Sequence, residues 1–233
     1  MSGQLGVLFV QLSYLGASAA FILGLRGLTK PDTARRGMQL AAVGMALAIV
    51  GTLVNHEIVD YRFILVGLVV GSAIGLPMGL LVPMTAMPQR IAVSHMFGAL
   101  AVTLVGIAEF LHDREVPGGP GVVKMVALGF ETLFGALTIT GSFMAFGKLQ
   151  GILPGRPITF FGQKFVNAAI FFGAVVLYVA LVVTQSGGAS GAAADLGVPT
   201  FFAMTALALI IGVTLVLPIG GADMPVVVSL LNS

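Results

Sequence analysis

The chain has 233 residues, of which 58% are hydrophobic and only 9% charged, with no cysteine and a formal net charge of +2. Its mean hydropathy is +1.07. Soluble domains carry about 25% charged residues, so this composition excludes a soluble globular enzyme and describes a polytopic membrane protein. Missing cysteines exclude disulfides and thiolate metal sites, and the small net charge gives no argument for nucleic acid.

Seven apolar stretches are long enough to cross a bilayer, near Leu5–Leu25, Met38–Val54, Phe63–Val82, Ile91–Leu111, Val122–Phe146, Phe165–Val183 and Thr200–Leu217. No basic run or cleavage site precedes the first stretch, which therefore reads as a retained span and not a signal peptide. The fourth span has a possible earlier start at Thr85, a residue able to cap a helix, with Pro88 in the first turn. The connection Ser186–Gly197 (SGGASGAAADLG) reads as a flexible linker. An eighth span starts at about Met224, where Asp223 suits a helix N-cap and Pro225 a first turn. From Met224 to Ser233 such a helix rises only about 15 Å, half of a hydrocarbon core of roughly 30 Å. A carboxylate ending there would lie near the bilayer centre, so the sequence predicts a fragment. The expected fold class is an all-α polytopic helix bundle, with seven complete transmembrane helices and the start of an eighth. Residues 1–233 read as one transmembrane domain.

Basic residues orient the spans. Arg26, Lys30, Arg35 and Arg36 follow span one, Arg90 lies after span three, and Lys148, Arg156 and Lys164 follow span five. Arg62, Arg114 and Lys124 fall on the opposite side, among the acids Glu57, Asp60, Asp113 and Glu115. The richer side is expected to be cytoplasmic, with the N-terminus outside. Glycines indicate close helix packing: Gly37, Gly44 and Gly51 on span two, Gly67, Gly71, Gly75 and Gly79 on span three, and Gly129, Gly135 and Gly141 on span five. Pro77 is expected to kink span three.

Polar groups inside a span are expensive and each needs a reason. His95 is the sharpest case, since His56 and His112 fall in connections between spans. Imidazole takes and releases a proton near neutral pH, so His95 is either a proton relay or a neutral, hydrogen-bonded packing residue. Glu131 lies about ten residues into span five, as a relay group or a satisfied donor. Glu109, near the far end of span four, reads as an interfacial carboxylate or an external proton mouth. Asn232 falls near mid-membrane depth, where an amide ordinarily bonds between helices. Ser94, Thr103, Thr138, Thr140 and Ser142 could extend a hydrogen-bonded wire or bond their own backbone. There is no GxGxxG turn, no P-loop and no histidine pair at metal spacing. Redox chemistry therefore belongs elsewhere.

Four segments carry a resemblance: MTAMPQRIAVSHMFGALAVTLVG (Met84–Gly106), TGSFMAFGKLQGILPGRPI (Thr140–Ile158), GQKFVNA (Gly162–Ala168) and IGGADMPVVVSLLNS (Ile219–Ser233). Together with the opening MSGQL and the later LRGLTKPDTARRG, they resemble the membrane domain of the beta subunit of proton-translocating NAD(P) transhydrogenase. The resemblance implies hydride transfer from NADH to NADP coupled to inward proton movement. It also implies a dimeric complex with an alpha subunit, in a bacterial inner membrane and less so a mitochondrial one. NAD(H) and NADP(H) would be bound by soluble domains that these residues lack, along with the rest of span eight and one further span. By position, His95 matches the family's channel histidine, Asn232 its polar residue in the later span, and Asp223 an acid where the membrane domain meets the NADP(H)-binding domain. Glu131 matches no familiar family position. A secondary transporter, or a membrane anchor without a proton path, stays open as the alternative; no internal repeat favours the transporter.

Overall fold

The structure, a computed structural model, describes residues 2–54, 61–81, 83–115, 119–186, 192–226 and 228. Its helices are α1 (Ser2–Leu28), α2 (Pro31–Val54), α3 (Tyr61–Leu80), α4 (Met87–Asp113), α5 (Val122–Leu149), α6 (Gln163–Gln185) and α7 (Ala192–Val216), with 3-10 turns at Met84–Ala86 and Gly221–Asp223. All seven α-helices are long and apolar enough to cross a membrane. Residues 224–226 and 228 are again helical, at the expected start of the eighth span. No strand occurs among the described residues, and the chain is an all-α, multi-pass membrane protein. Asn232, His56, Glu57 and Asp60 lie outside the described residues.

Most helices extend beyond their apolar cores, because helix-compatible polar residues continue the backbone ladder past the hydrophobic edge. Helix α2 begins at Pro31 instead of Met38, so Arg35 and Arg36 are helical. Pro31 needs no intrahelical donor partner at a first position, and Asp32 complements the helix dipole there. Helix α4 does not use Thr85 as a cap: Thr85 lies in the 3-10 turn, and Ala86 precedes the helix with Pro88 in the first turn. Helix α5 runs past Phe146 to Leu149, which takes Lys148 out of the loop expected for it. Helix α7 begins at Ala192, so the second half of the expected Ser186–Gly197 linker is helix, and Pro199 lies inside it.

The chain divides into two compact units, Met1–Leu76 and Pro77–Ser233. Helix α3 continues through Pro77 to Leu80, and the division falls at that proline. In the first unit, α1 and α2 form an antiparallel hairpin closed by the short link at Thr29 and Lys30. Thr33 donates to the Gly27 carbonyl at 2.6 Å, and Tyr14 and Thr52 share a hydrogen bond of 3.0 Å between the helices. The small residues face each other as the spacing predicts. A Cβ on Gly37 would lie 2.6 Å from the Gly24 oxygen, and one on Gly44 3.1 Å from the Ala17 oxygen. The α3 glycines behave differently. A Cβ at Gly67, Gly71, Gly75 or Gly79 meets nothing within 4 Å among the described residues. The GxxxG spacing there does not mark a packed face of the described residues.

The second unit is built around α5, the most buried helix, which packs against α4, α6 and α7. Gly106 of α4 makes room for Thr132 of α5, Gly135 of α5 makes room for Thr103 of α4, and Gly212 of α7 lies against the Leu137 carbonyl and Thr140. Gly129 makes room for the Tyr178 ring of α6, whose hydroxyl donates to the Val126 carbonyl at 3.0 Å. One apolar core lies toward one end of the bundle and includes Phe110, Met125, Leu181, Phe201 and Met204, with Phe110 and Phe201 stacked at 4.1 Å. A second joins Ala92, Met144, Ala145, Val216, Met224 and Val228 at the other.

Gly37→Ala should destabilise the protein by about 1–3 kcal/mol through overpacking, whereas Gly71→Ala should stay within about 0.5 kcal/mol of the parent. Unfolding of the purified protein in mixed micelles, followed by helical circular dichroism, measures both.

Candidate functional site

Pro218 dictates the geometry of one end of the second unit. A proline has no N–H, so the Thr214 carbonyl, four residues earlier, loses its helical partner. Two amides from the first turns of α6 replace it: Gln163 Nε2 donates to Thr214 O at 3.0 Å and Asn167 Nδ2 at 3.2 Å. The carbonyls that follow are also without intrahelical donors, as at any helix C-terminus. Lys148, on the last turn of α5 and only 4% exposed, points its Nζ at three of them. It donates to Leu217 O and Ile219 O at 2.6 Å each and to Val216 O at 3.3 Å. Gln89, in the first turn of α4, donates to Leu149 O of α5 at 3.4 Å.

Two main-chain bonds complete the arrangement. Ile158 N–H donates to Leu217 O at 3.1 Å, and Gly221 N–H to Gly155 O at 2.7 Å. The α5–α6 loop and the segment from Pro218 to Asp223 are thereby laced together. A Cβ at Gly221 would stand 3.4 Å from Gly155 Cα, in ordinary contact, so the lacing rests on the main-chain bond and not on a missing side chain. Asp223 is exposed at the tip of this junction. Its N–H donates to Gly220 O at 3.1 Å. Its carboxylate makes no hydrogen bond to the described residues, so the N-cap expected of it is not formed there.

Directly beneath the junction, Met224 is fully buried in the cluster that contains Ala92 of α4. Ala92 is one helical turn from His95. His95 itself lies eight residues into α4, about 12 Å along the helix. Its side chain is half-buried and makes no hydrogen bond or ion pair with the described residues. The hydrogen bond of the packing alternative is therefore not made within them.

The opposite end of α4 and α5 holds an ionic cluster. Lys124 Nζ lies 2.8 Å from both Glu109 Oε2 and Asp113 Oδ2. Glu131 stands one or two turns deeper, against Gly106. Gly106 is 11 residues from His95, so Glu131 and His95 are separated by about 16 Å along α4 and do not form one group. Between them the seam carries Thr103, whose hydroxyl bonds the Ala99 carbonyl at 2.8 Å, and Thr132, whose buried hydroxyl has no partner among the described residues. Thr140 donates to Leu209 O of α7 at 2.7 Å. Thr103 and Thr140 thus serve backbone carbonyls instead of extending a wire. Glu109 is an ion-pair partner at its end of the bundle.

A family model for the NAD(P) transhydrogenase beta subunit matches residues 10–233. The chain belongs to this family. Two curated proteins from Rhodospirillum rubrum, both named NAD(P) transhydrogenase subunit beta, are each 39% identical to it over 225 residues, covering 95% of this chain. The match covers 46% of each of those proteins, so the chain spans about half the length of the curated relatives it matches. No strand-to-helix glycine turn occurs among the described residues.

Sequence reasoning treated Lys148 as a loop charge and gave Gln163 and Asn167 no role. The available signal was Pro218, which removes a donor at the end of an apolar span and requires polar side chains nearby to replace it. Replacing Gln163 and Asn167 together with Leu should leave Thr214 O without either donor and cost about 1–3 kcal/mol. Each single replacement should cost less, because one amide remains, as equilibrium unfolding in mixed micelles would show.

Proposed function

We propose that the chain is the proton-translocating part of an NAD(P) transhydrogenase, coupling inward proton movement to hydride transfer from NADH to NADP in soluble domains beyond the described residues. Hydride donation and acceptance are the chemistry that bound NAD(H) and NADP(H) supply there. The partners are an alpha subunit, the two nucleotide-binding domains and a second copy of the complex, in a bacterial inner membrane with the N-terminus outside. The basic end of the second unit, with Arg90, Arg156 and Lys164, then faces the cytoplasm by the positive-inside rule.

One observation carries this reading: the apolar cluster shared by Met224 and Ala92. Asp223 is exposed where a soluble domain can touch it, and the next residue is buried against the helix that carries His95. A change in the docked domain can thus move Met224, shift α4 and alter which side of the membrane His95 exchanges protons with. This is a population shift between two accessibilities, driven by a ligand that favours one of them. His95 suits the relay because an imidazole can both accept and donate a proton, and this one is not committed to a hydrogen bond within the described residues. Glu131 and the Glu109–Lys124–Asp113 cluster provide polar groups at the external end of the same seam. Asn232, outside the described residues, is assigned to the path by its sequence match alone.

In the complete complex, His95→Ala should reduce proton pumping and the linked reverse hydride transfer at least tenfold. Both surviving at parental rates would remove the relay role. Asp223→Asn should change the rate of NADP(H) release, measured by stopped-flow fluorescence; unchanged release would detach Asp223 from the junction.

A further inference from the structure

The geometry points to Lys148 as a positioning residue that fixes the register of the segment from Pro218 to Asp223 against α5, and so sets how motion of that junction reaches α4. Its ammonium is enclosed: the residue is 4% exposed, and its three N–H donors meet three carbonyls, Val216 O, Leu217 O and Ile219 O. An ammonium has three donors and no acceptor, so this site uses it to capacity. Those carbonyls fall within four residues at the exit of α7, and a single positive charge at a helix C-terminus is also favoured by the helix dipole.

Two features separate this from ordinary helix capping. First, the acceptors are on a different helix from the donor, 68 to 71 residues away in sequence, so the contact ties α5 to the exit of α7 and is not local. Second, the tied segment leads within four residues of Ile219 to Asp223 and then to Met224, whose side chain packs with Ala92. Met144 and Ala145 of α5, one turn before Lys148, belong to that same cluster. Lys148 therefore holds the junction to the helix that also supports the far wall of the Met224–Ala92 contact. Without it, Leu217 O would keep the Ile158 N–H and Val216 O the Ile219 N–H, while Ile219 O would lose its described donor. The segment would loosen and not unfold, and movement at Asp223 would be absorbed before reaching Met224.

The consequence for turnover rests on the function proposed above, whereas the positioning itself does not. The test is Lys148→Met in the full complex in membranes, with three readouts. Backbone hydrogen exchange at residues 216–226 should rise at least tenfold. Proton-linked turnover should fall at least tenfold. Hydride exchange between nucleotides that stay bound, which needs no proton passage, should remain within twofold. Lys148→Arg, which keeps a donor-only cation, should recover most of the proton-linked rate. If the Met variant does not assemble, Lys148→Gln, with an amide too short to reach all three carbonyls, carries the same three readouts. Unchanged exchange at residues 216–226 overturns the positioning role. Raised exchange with unchanged proton-linked turnover upholds it and instead overturns the coupling reading. A parallel fall in bound-nucleotide hydride exchange makes Lys148 merely structural and overturns the proposal.

Discussion

A helix in lipid has no water to bond its backbone, so any carbonyl freed from the ladder must find a donor inside the protein. Pro218 frees one such carbonyl at the end of α7, and the chain turn that follows frees more. Much of the architecture at that end answers this demand. Gln163 and Asn167 come from α6, Lys148 from α5, and the Ile158 N–H from the loop between them. The four-helix unit is locked at this end by polar groups serving one broken ladder. That requirement explains why three of its polar side chains lie in an otherwise apolar setting.

The two ends of the unit solve different problems. At the junction, neutral carbonyls are bonded by donors and the backbone is held in place. At the other end, Lys124 joins two carboxylates, with Lys124 and Glu109 about half exposed and Asp113 buried. Between them α5 packs through small residues: Gly135 faces Thr103, Gly129 faces Tyr178, and Gly212 of α7 faces the α5 backbone, so neighbours approach closely. Close approach leaves little room for side chains to slide independently. A displacement at the junction is then passed between packed helices and not lost in voids. His95 sits one turn from the contact where such a displacement would arrive.

Several of these features were legible from residue order. Seven spans followed from runs of apolar residues, because hydrocarbon admits few charges. The close packing of Gly37 and Gly44 followed from their seven-residue spacing. The same logic failed on α3, where four regularly spaced glycines contact nothing within the described residues. Spacing places residues on one face, but cannot say whether a neighbour occupies it. Helix ends were misjudged at Pro31, Leu149 and Ala192 for a related reason: hydropathy reports where lipid ends, whereas a helix continues as long as its backbone bonds and caps allow.

The sequence by itself determined the class, the number of spans, the family resemblance and the presence of a histidine within a span, because each depends on residue type along one dimension. Only the tertiary structure decided that Glu131 and His95 lie far apart on the seam, that Asp223 leads into a contact with the His95 helix, and that Lys148 is buried. Those facts depend on which carbonyls were left without partners and which side chains from other helices could reach them. Donor and acceptor are separated by about 70 residues in the chain and by 2.6 Å in space.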